Sequence, residues 1–156
     1  MKLFLTSKTT SKLKKHEIKN ICFLKETHWK HGIFSQLKWF NENVKKKDVN
    51  VLLKFSDKII GYTLLRKIKG EINGKIRNYF LFDTLIIDKS FREKKLSKLM
   101  MKLNNKIIKK NKIPSFLICR KKMIKFYKLY NWKVLDKKKF KIKEIKSKKS
   151  LMSYNF

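Results

Sequence analysis

Two hydrophobic repeats predict alternating strands and helices along the chain. Residues 79–87 form an apolar run of aromatic and β-branched side chains interrupted by one acid, Asp83, which is typical of a strand. After a basic turn, apolar residues recur at the i, i+3, i+4, i+7 spacing of one helical face, which predicts a helix beginning near Leu96. The residues of this face are Leu96, Leu99, Met100, Leu103 and Ile107. The turn at 88–95 is a candidate anion site, because free amides at a helix N-terminus attract negative charge.

The same patterns divide the rest of the chain into elements. Strands are predicted over 1–6, 51–55, 59–65 and 115–119, with 51–55 and 59–65 paired as a hairpin. Helices are predicted over about 11–25, over 34–44 after a break at His31-Gly32, and over about 121–130. Segment 67–77, which holds Gly70 and Gly74, is interpreted as a turn. A closing hairpin is predicted from 132–135 and 140–145, followed by a loose basic tail over 146–156.

Length and composition predict one domain over residues 1–145. A chain of 156 residues with 42% hydrophobic residues can form a core without disulfides or metals. Cys22 and Cys119 lie in apolar runs outside any CxxC pattern, so we expect buried thiols and no metal site. There is no run of about 18 apolar residues, and the opening segment is too short for a signal sequence. We therefore expect a cytoplasmic monomer or homodimer without a membrane partner.

The charge of the chain raises a nucleic-acid partner as an alternative. A formal net charge of +32 favours binding to polyanions. However, Arg occurs only at positions 66, 77, 92 and 120, whereas recognition of bases and phosphates favours Arg over Lys. Alanine is absent and Gly and Pro are scarce, which is the drift expected of an AT-rich coding sequence. Much of the charge is thus explained by codon bias, and nucleic acid is the less favoured partner.

Three segments resemble the GCN5-related N-acetyltransferase (GNAT) family. Residues 92–97, Arg-Glu-Lys-Lys-Leu-Ser, are similar to its turn Arg/Gln-x-x-Gly-x-Gly/Ala, with Lys95 and Ser97 in place of the glycines. The hairpin with Ile60-Gly61-Tyr62 looks like the family's strands 2 and 3. Residues 126–132 are similar to Phe-Tyr-x-x-x-Gly-Phe, with Asn131 as the residue that tolerates the left-handed cap. Together the matches span about 51–135.

The resemblance implies a fold, a donor substrate and a set of site residues. The fold is α/β (α+β), a mixed central sheet in the order β1-α1-α2-β2-β3-β4-α3-β5-α4-β6, with a possible β7. The family's turn cradles the pyrophosphate of acetyl-CoA, and the backbone of its fourth strand faces the thioester. The residues implied to bind the donor are Leu85, Ile86, Ile87, Arg92, Glu93, Lys94, Lys95, Leu96, Ser97 and Arg120.

The resemblance also implies two catalytic residues, each with a structural alternative. Tyr127 matches the tyrosine that protonates the departing thiolate, but it could equally be a core aromatic. Asp83 matches a position near the acceptor amine, where a carboxylate could serve as general base or bind the amine, or it could pair with one of the many lysines. His28 and His31 are too few for a metal site, and we expect the 28–31 region to border the acceptor.

Two functions follow as expectations. The first is transfer of an acetyl group from acetyl-CoA to a primary amine of a small molecule, such as an amino sugar or sugar nucleotide, by direct attack in a ternary complex. The second is a non-catalytic basic module that keeps the fold and binds nucleic acid or another polyanion.

Overall fold

Seven strands form one mixed sheet in the computed structural model, which describes residues 2–156. The strands are β1 Leu3–Thr9, β2 Val49–Phe55, β3 Lys58–Ile72, β4 Lys75–Ile87, β5 Ser115–Cys119, β6 Lys133–Leu135 and β7 Ser150–Tyr154. Their spatial order is β1-β2-β3-β4-β5-β7-β6, and only the β4–β5 pair is parallel. The helices are α1 Lys15–Glu26, α2 Ile33–Asn43, α3 Leu96–Asn111 and α4 Ile124–Lys128. The predicted fold class and element order are confirmed.

Helices cover both faces of the sheet because the central strands are apolar on both sides. On one face, Leu52, Tyr62 and Ile86 pack against α1 and α2. On the other, Val51, Leu53 and Ile60 pack against α3. Strand residues point alternately to the two sides, so β2 contributes to both cores.

Strand β4 leaves its neighbour β5 after a short contact. The two strands pair only at Phe80 with Ser115 and at Leu81 with Phe116, within the described residues. Beyond Leu81 the edge of β4 that faces β5 is open. In addition, Leu64 pairs with Thr84 and Leu65 with Phe82, so Asp83 between them is the extra residue of a β-bulge. The bulge and the open edge adjoin each other on β4.

The predicted turn over 67–77 is wrong, because β3 and β4 continue as a long hairpin that turns at Asn73-Gly74. Gly70 lies inside β3 for a packing reason. A side chain there would collide with the carboxylate of Glu144, which accepts hydrogen bonds from the Glu71 amide and the Tyr79 hydroxyl. The glycine indicates a close approach and not a turn.

The predicted loose tail is also wrong, because 150–154 forms β7, which is inserted between β5 and β6. The side chains of Leu151 and Met152 are buried there. Segment 140–145 is not a strand, and Ile142 makes a single bridge to Ile72. The sequence shows the apolar residues of each segment but not which segment pairs with β5.

Three smaller differences concern element boundaries and faces. The first strand continues to Thr9, and Met1, which we predicted within it, lies outside the described residues. The helix predicted over 121–130 is a 3₁₀ turn at Lys121–Met123 followed by the short α4. Leu99, predicted to be on the buried face of α3, is exposed. The buried residues of α3 are Leu96, Met100, Met101, Asn104 and Ile108.

None of the helices between residues 2 and 156 is both long and apolar enough to cross a membrane.

Candidate active site

Two cavities lie along β4, both beyond the point where it leaves β5. The first, which we call the turn cavity, has a volume of about 390 Å³. It is lined by His28, Leu85, Ile86, Ile87, Phe91, Arg92, Glu93, Lys95, Leu96, Ser97, Met123 and Phe126. The second, the Asp83 cavity, also measures about 390 Å³. It is lined by Lys25, Trp29, His31, Ser35, Gln36, Trp39, Asp83 and Thr84. Because Thr84 and Leu85 are consecutive, β4 brings the two cavities together.

The turn that precedes α3 has left-handed backbone at two non-glycine residues. Glu93 has φ 68° and Lys95 has φ 54°, a conformation that costs an L-residue about 1–2 kcal/mol. Lys95 occupies the position of the first glycine in the turn of the GNAT family, which this sequence resembles. The substitution therefore changes the side chain but leaves the backbone conformation that a glycine would favour.

The N-terminus of α3 is open and surrounded by positive charge. Lys95 is its N-cap and makes no capping hydrogen bond through its side chain. The first amides of the helix consequently lack a side-chain partner at the cap. Arg92, Lys94 and Lys95 are exposed around them, and Leu96 is buried and anchors the helix against the core. This arrangement suits a phosphate group.

Arg92 connects the turn to the loop between α1 and α2. Its guanidinium donates hydrogen bonds to the Ile87 carbonyl, at 3.3 Å, and to Nδ1 of His28, at 3.0 Å. Burial lowers the pKa of His28, and the charges of Arg92 and Lys89 lower it further. The neutral imidazole is the form that can accept the hydrogen bond from Arg92.

Asp83 forms an ion pair with Arg66 on the neighbouring strand. The carboxylate and guanidinium lie 3.2 Å apart, and both side chains are about three-quarters buried. The bulge turns Asp83 into the cavity, where it faces Lys25 and the indole of Trp39. Pairing with a cation is thus present, but with Arg66 and not with one of the many lysines.

Tyr127 is buried in an aromatic cluster on the β5 side of the sheet. Its ring packs edge-on against Phe82 and Phe126, and at an inclined angle against Trp132. Burial raises the pKa of Tyr127 to about 12, with a smaller contribution from Cys119. The hydroxyl therefore remains protonated at neutral pH, which is the form that can donate a proton or a hydrogen bond.

Lys25 and Trp39 also line the Asp83 cavity, although neither was predicted from the sequence as a site residue. Lys25 is buried, and its ammonium lies 4.0 Å from the centre of the Trp39 ring, a cation–π contact. The available signal was a lysine in register with Ile21 and Cys22 on the apolar face of a helix. Trp39 gave no such signal, because its position depends on how α2 packs.

Most of the predicted site residues come together, with a few exceptions. Leu85, Ile86, Ile87, Arg92, Glu93, Lys95, Leu96 and Ser97 all line the turn cavity. Three predicted residues line neither cavity. Lys94 is directed over the Phe91 ring, at 5.2 Å, Arg120 is exposed where β5 ends, and Tyr127 is buried in the aromatic cluster beside Phe126. Of the 28–31 region, His28 lines the turn cavity, whereas Trp29 and His31 line the Asp83 cavity. Residues 2–156 contain no cluster of three acidic, His or Cys side chains that could hold a metal.

The parted strands, the bulge and the turn before α3 define the class of fold: it is the GNAT acetyltransferase fold. No protein-family model matches the chain, and no curated protein matches its sequence. Solved structures match over nearly the whole chain. An acyl-CoA N-acyltransferase from Pseudomonas aeruginosa has a TM-score of 0.72 at 10% identity, covering 97% of this chain and 99% of its own.

Two further structures share the fold at similar identity. The PaiA N-acetyltransferase from Thermoplasma acidophilum, solved in complex with coenzyme A, gives a TM-score of 0.64 at 16% identity and covers all of both chains. A GNAT-family acetyltransferase from Staphylococcus aureus gives 0.64 at 14% identity, covering 96% of this chain and 98% of its own. At these identities the common property is the fold.

Proposed function

We propose that the protein is an N-acetyltransferase that transfers the acetyl group of acetyl-CoA to a primary amine of a small molecule, by direct attack in a ternary complex. The observation that carries the proposal is the meeting of two cavities at the open edge of β4. A donor in the turn cavity and an acceptor in the Asp83 cavity would reach the same stretch of backbone. The fold of the acyltransferases described above supports the same assignment.

The turn cavity fits the donor in three respects. Left-handed backbone at Glu93 and Lys95 leaves the amides before α3 free for a pyrophosphate. Arg92 and Lys95 line the cavity and add positive charge, and Lys94 lies exposed beside it. The apolar side chains of Leu85 and Phe126 line the rest, where the less polar arm of the donor would lie. Acetyl-CoA would supply an activated thioester.

Three features of the chain would then serve the transfer. Asp83 would accept the proton of the amine, directly or through a water molecule. The open backbone edge of β4 at Leu85–Ile87 would offer hydrogen bonds to the thioester oxygen, where negative charge develops. Tyr127, protonated at neutral pH, would donate to the departing sulfur. No nucleophilic side chain is required, because the amine attacks directly.

The size of the Asp83 cavity favours a small acceptor. A volume of about 390 Å³ lies near the lower end of the range of small-molecule sites. Its walls include two indoles, Trp29 and Trp39, which offer flat apolar surface to a small molecule.

Calorimetric titration with acetyl-CoA at physiological and raised salt tests the proposal. We expect saturable one-to-one binding that persists as salt is raised, because a built cavity contributes contacts that salt does not screen. Arg92→Met should weaken binding by roughly tenfold or more, since it removes a charge-assisted contact. Lys106→Met, an exposed lysine farther along α3, is the matched control and should bind as the unaltered protein does.

A basic surface outside the two cavities favours polyanion binding as a second candidate function. Segment 136–149 packs along the end of the β3–β4 hairpin through hydrogen bonds between Asn73 and Lys141 and between Lys143 and Glu71. The exposed cations of this surface are Lys67, Lys69, Lys75, Arg77, Lys138, Lys139, Lys141, Lys143, Lys146, Lys148 and Lys149. Binding of a random DNA duplex that disappears with salt, without any acetyl-CoA binding, would replace the first function by this one.

A further inference from the structure

Lys25 places an ammonium group without a counterion in the Asp83 cavity. Its exposed fraction is only 7%, and it lines the cavity beside Asp83 and Trp39. Within residues 2–156, no carboxylate lies within ion-pair distance of it. Burial lowers the pKa of Lys25, and the negative charge of Asp83 only partly offsets that effect. A buried charge without an ionic partner is costly to the fold, so its presence in a cavity indicates a role toward a ligand.

The ammonium of Lys25 is the charge in the Asp83 cavity that other side chains of residues 2–156 do not balance by an ion pair. The carboxylate of Asp83 is already paired with Arg66, which lies 5.9 Å from the Trp39 ring on the same wall. Of the charged side chains on the wall, Asp83 therefore has an ionic partner, and Lys25 has none within residues 2–156. The nearby Glu26 carboxylate accepts hydrogen bonds from the His31 and Gly32 amides and from Gln36, and does not pair with Lys25. Lys25 and Arg66 both contact Trp39, so their positions are fixed by packing against the indole. A ligand with only a positive group would meet repulsion here, whereas a ligand with a negative group would balance the charge.

We propose that the acceptor is a small amine that also carries an acidic group, a carboxylate or a phosphate, with the acidic group bound by Lys25 and the amine placed beside Asp83. The inference rests on the proposed function in taking the Asp83 cavity as the acceptor site. The Trp29 and Trp39 indoles enclose the remainder of the molecule. Amino acids and aminoalkyl phosphates have this chemistry, and simple alkylamines and polyamines do not.

Direct binding measured by tryptophan fluorescence tests the proposal without any need for turnover. Trp29 and Trp39 line the cavity, whereas Trp132 is buried in the aromatic cluster with Tyr127 and gives a constant background. The probes are two matched pairs: phenylalanine against phenethylamine, and phosphoethanolamine against ethanolamine. We expect the acidic member of at least one pair to bind roughly tenfold to a hundredfold more tightly, as a charge-assisted contact would give. The pair that shows the preference identifies the carboxylate or the phosphate.

Variants of α1 assign the preference to Lys25. Lys25→Met, which keeps the length of the side chain but not its charge, should abolish the preference, and Lys25→Arg should retain much of it. Lys19→Met, an exposed lysine on the same helix, is the matched control and should behave as the unaltered protein does. Equal binding within both pairs, tighter binding of the plain amines, absence of binding by every probe, or a preference that survives Lys25→Met would each overturn the proposal.

The outcome of the fluorescence experiment can be distinguished from the outcome of the acetyl-CoA titration. Acetyl-CoA titration reports on the turn cavity and involves none of Lys25, Trp29 or Trp39. Failure of acetyl-CoA to bind would contradict the acetyltransferase function and leave a preference for acidic amines standing. Donor binding without any preference for acidic amines would contradict only the present inference.

Discussion

Glu17 joins three parts of the fold through one buried carboxylate. It accepts hydrogen bonds from the ammonium groups of Lys8 on β1, at 2.9 Å, and Lys54 on β2, at 2.7 Å. It also accepts one from the Lys14 amide, at 3.1 Å, which caps the start of α1 from the third helical position. Burial acts to raise its pKa, but these contacts outweigh burial and lower the pKa to about 2.

Loss of this charge should destabilise the protein. The pKa of Glu17 in the folded state is below its unfolded value of 4.5, so its contribution is complete above pH 4.5 and declines as pH falls toward 2. We expect Glu17→Gln to lower the free energy of unfolding at pH 7 by about 3 kcal/mol, with a smaller deficit near pH 3. Urea unfolding at both pH values measures this, and Glu42→Gln at an exposed pair is the control. An equal deficit at both pH values would show that packing, not charge, is responsible.

Lys95 should show strain that a glycine would relieve. Its left-handed backbone predicts that Lys95→Gly raises the free energy of unfolding by up to about 1 kcal/mol, the relief of strain less the added chain entropy. Thermal unfolding provides the measurement, and Lys94→Gly, without positive φ, should be neutral or destabilising. Because the backbone is already in place, acetyl-CoA affinity should change by less than about tenfold. A much larger gain in affinity would mean that Lys95 obstructs the turn, in favour of the polyanion-binding alternative.

Single residues of the site were predictable only where a local motif surrounds them. Arg92 and the residues after it follow a strand and open a helix, so their place could be inferred from neighbours in the sequence. The ion pair of Asp83 with Arg66 depends on the β3–β4 register and on a bulge, which no local pattern encodes. The place of Lys25 in the cavity could not be predicted for the same reason, because the residues around it come from α2 and β4.

At the scale of elements, β7 is the part of the fold on which the C-terminal half of the sheet depends. It pairs with β5 on one side and β6 on the other, and Met152 is fully buried. Removing residues 150–156 should therefore abolish cooperative unfolding, because both neighbours lose a partner and the core opens. Met152→Ala should cost about 2–5 kcal/mol, and Lys149→Ala at the exposed start should cost little. Thermal unfolding followed by circular dichroism distinguishes these outcomes. If the truncated chain unfolded at the same temperature as the intact one, residues 150–156 would be a loose tail after all.

Elements with a strong local repeat were predicted well, and those fixed by distant contacts were not. β5 was found within its observed limits, and α3 was found at its observed start, because each has its own apolar pattern and a clear boundary. The β3–β4 hairpin was cut short because Gly70 resembles a turn signal, although it is required by Glu144, which lies more than seventy residues later. The register of β7 is likewise set by partners far away in the sequence.

For the whole molecule, net charge should make stability dependent on salt. The chain has 43 basic and 11 acidic residues, so like charges repel across the surface of the folded state. We expect the melting temperature to rise by several degrees between about 20 mM and 500 mM sodium chloride, as the Debye length shortens. A control in sucrose at the same osmolality separates the screening of charges from the general exclusion of solutes from the protein surface. A melting temperature that falls with salt would show that attractive pairs such as those of Glu17 dominate the balance.

The loop between α1 and α2 links the turn cavity to the Asp83 cavity. His28 holds Arg92 in the turn cavity, and three residues later His31 lies in the other cavity. A donor phosphate that draws Arg92 away from His28 would release the same loop that borders the Asp83 cavity. Affinities linked in this way change reciprocally. An acceptor would change the affinity for the donor by the same factor by which the donor changes the affinity for the acceptor. Initial-rate kinetics would record this coupling as an apparent affinity for each substrate that depends on the concentration of the other.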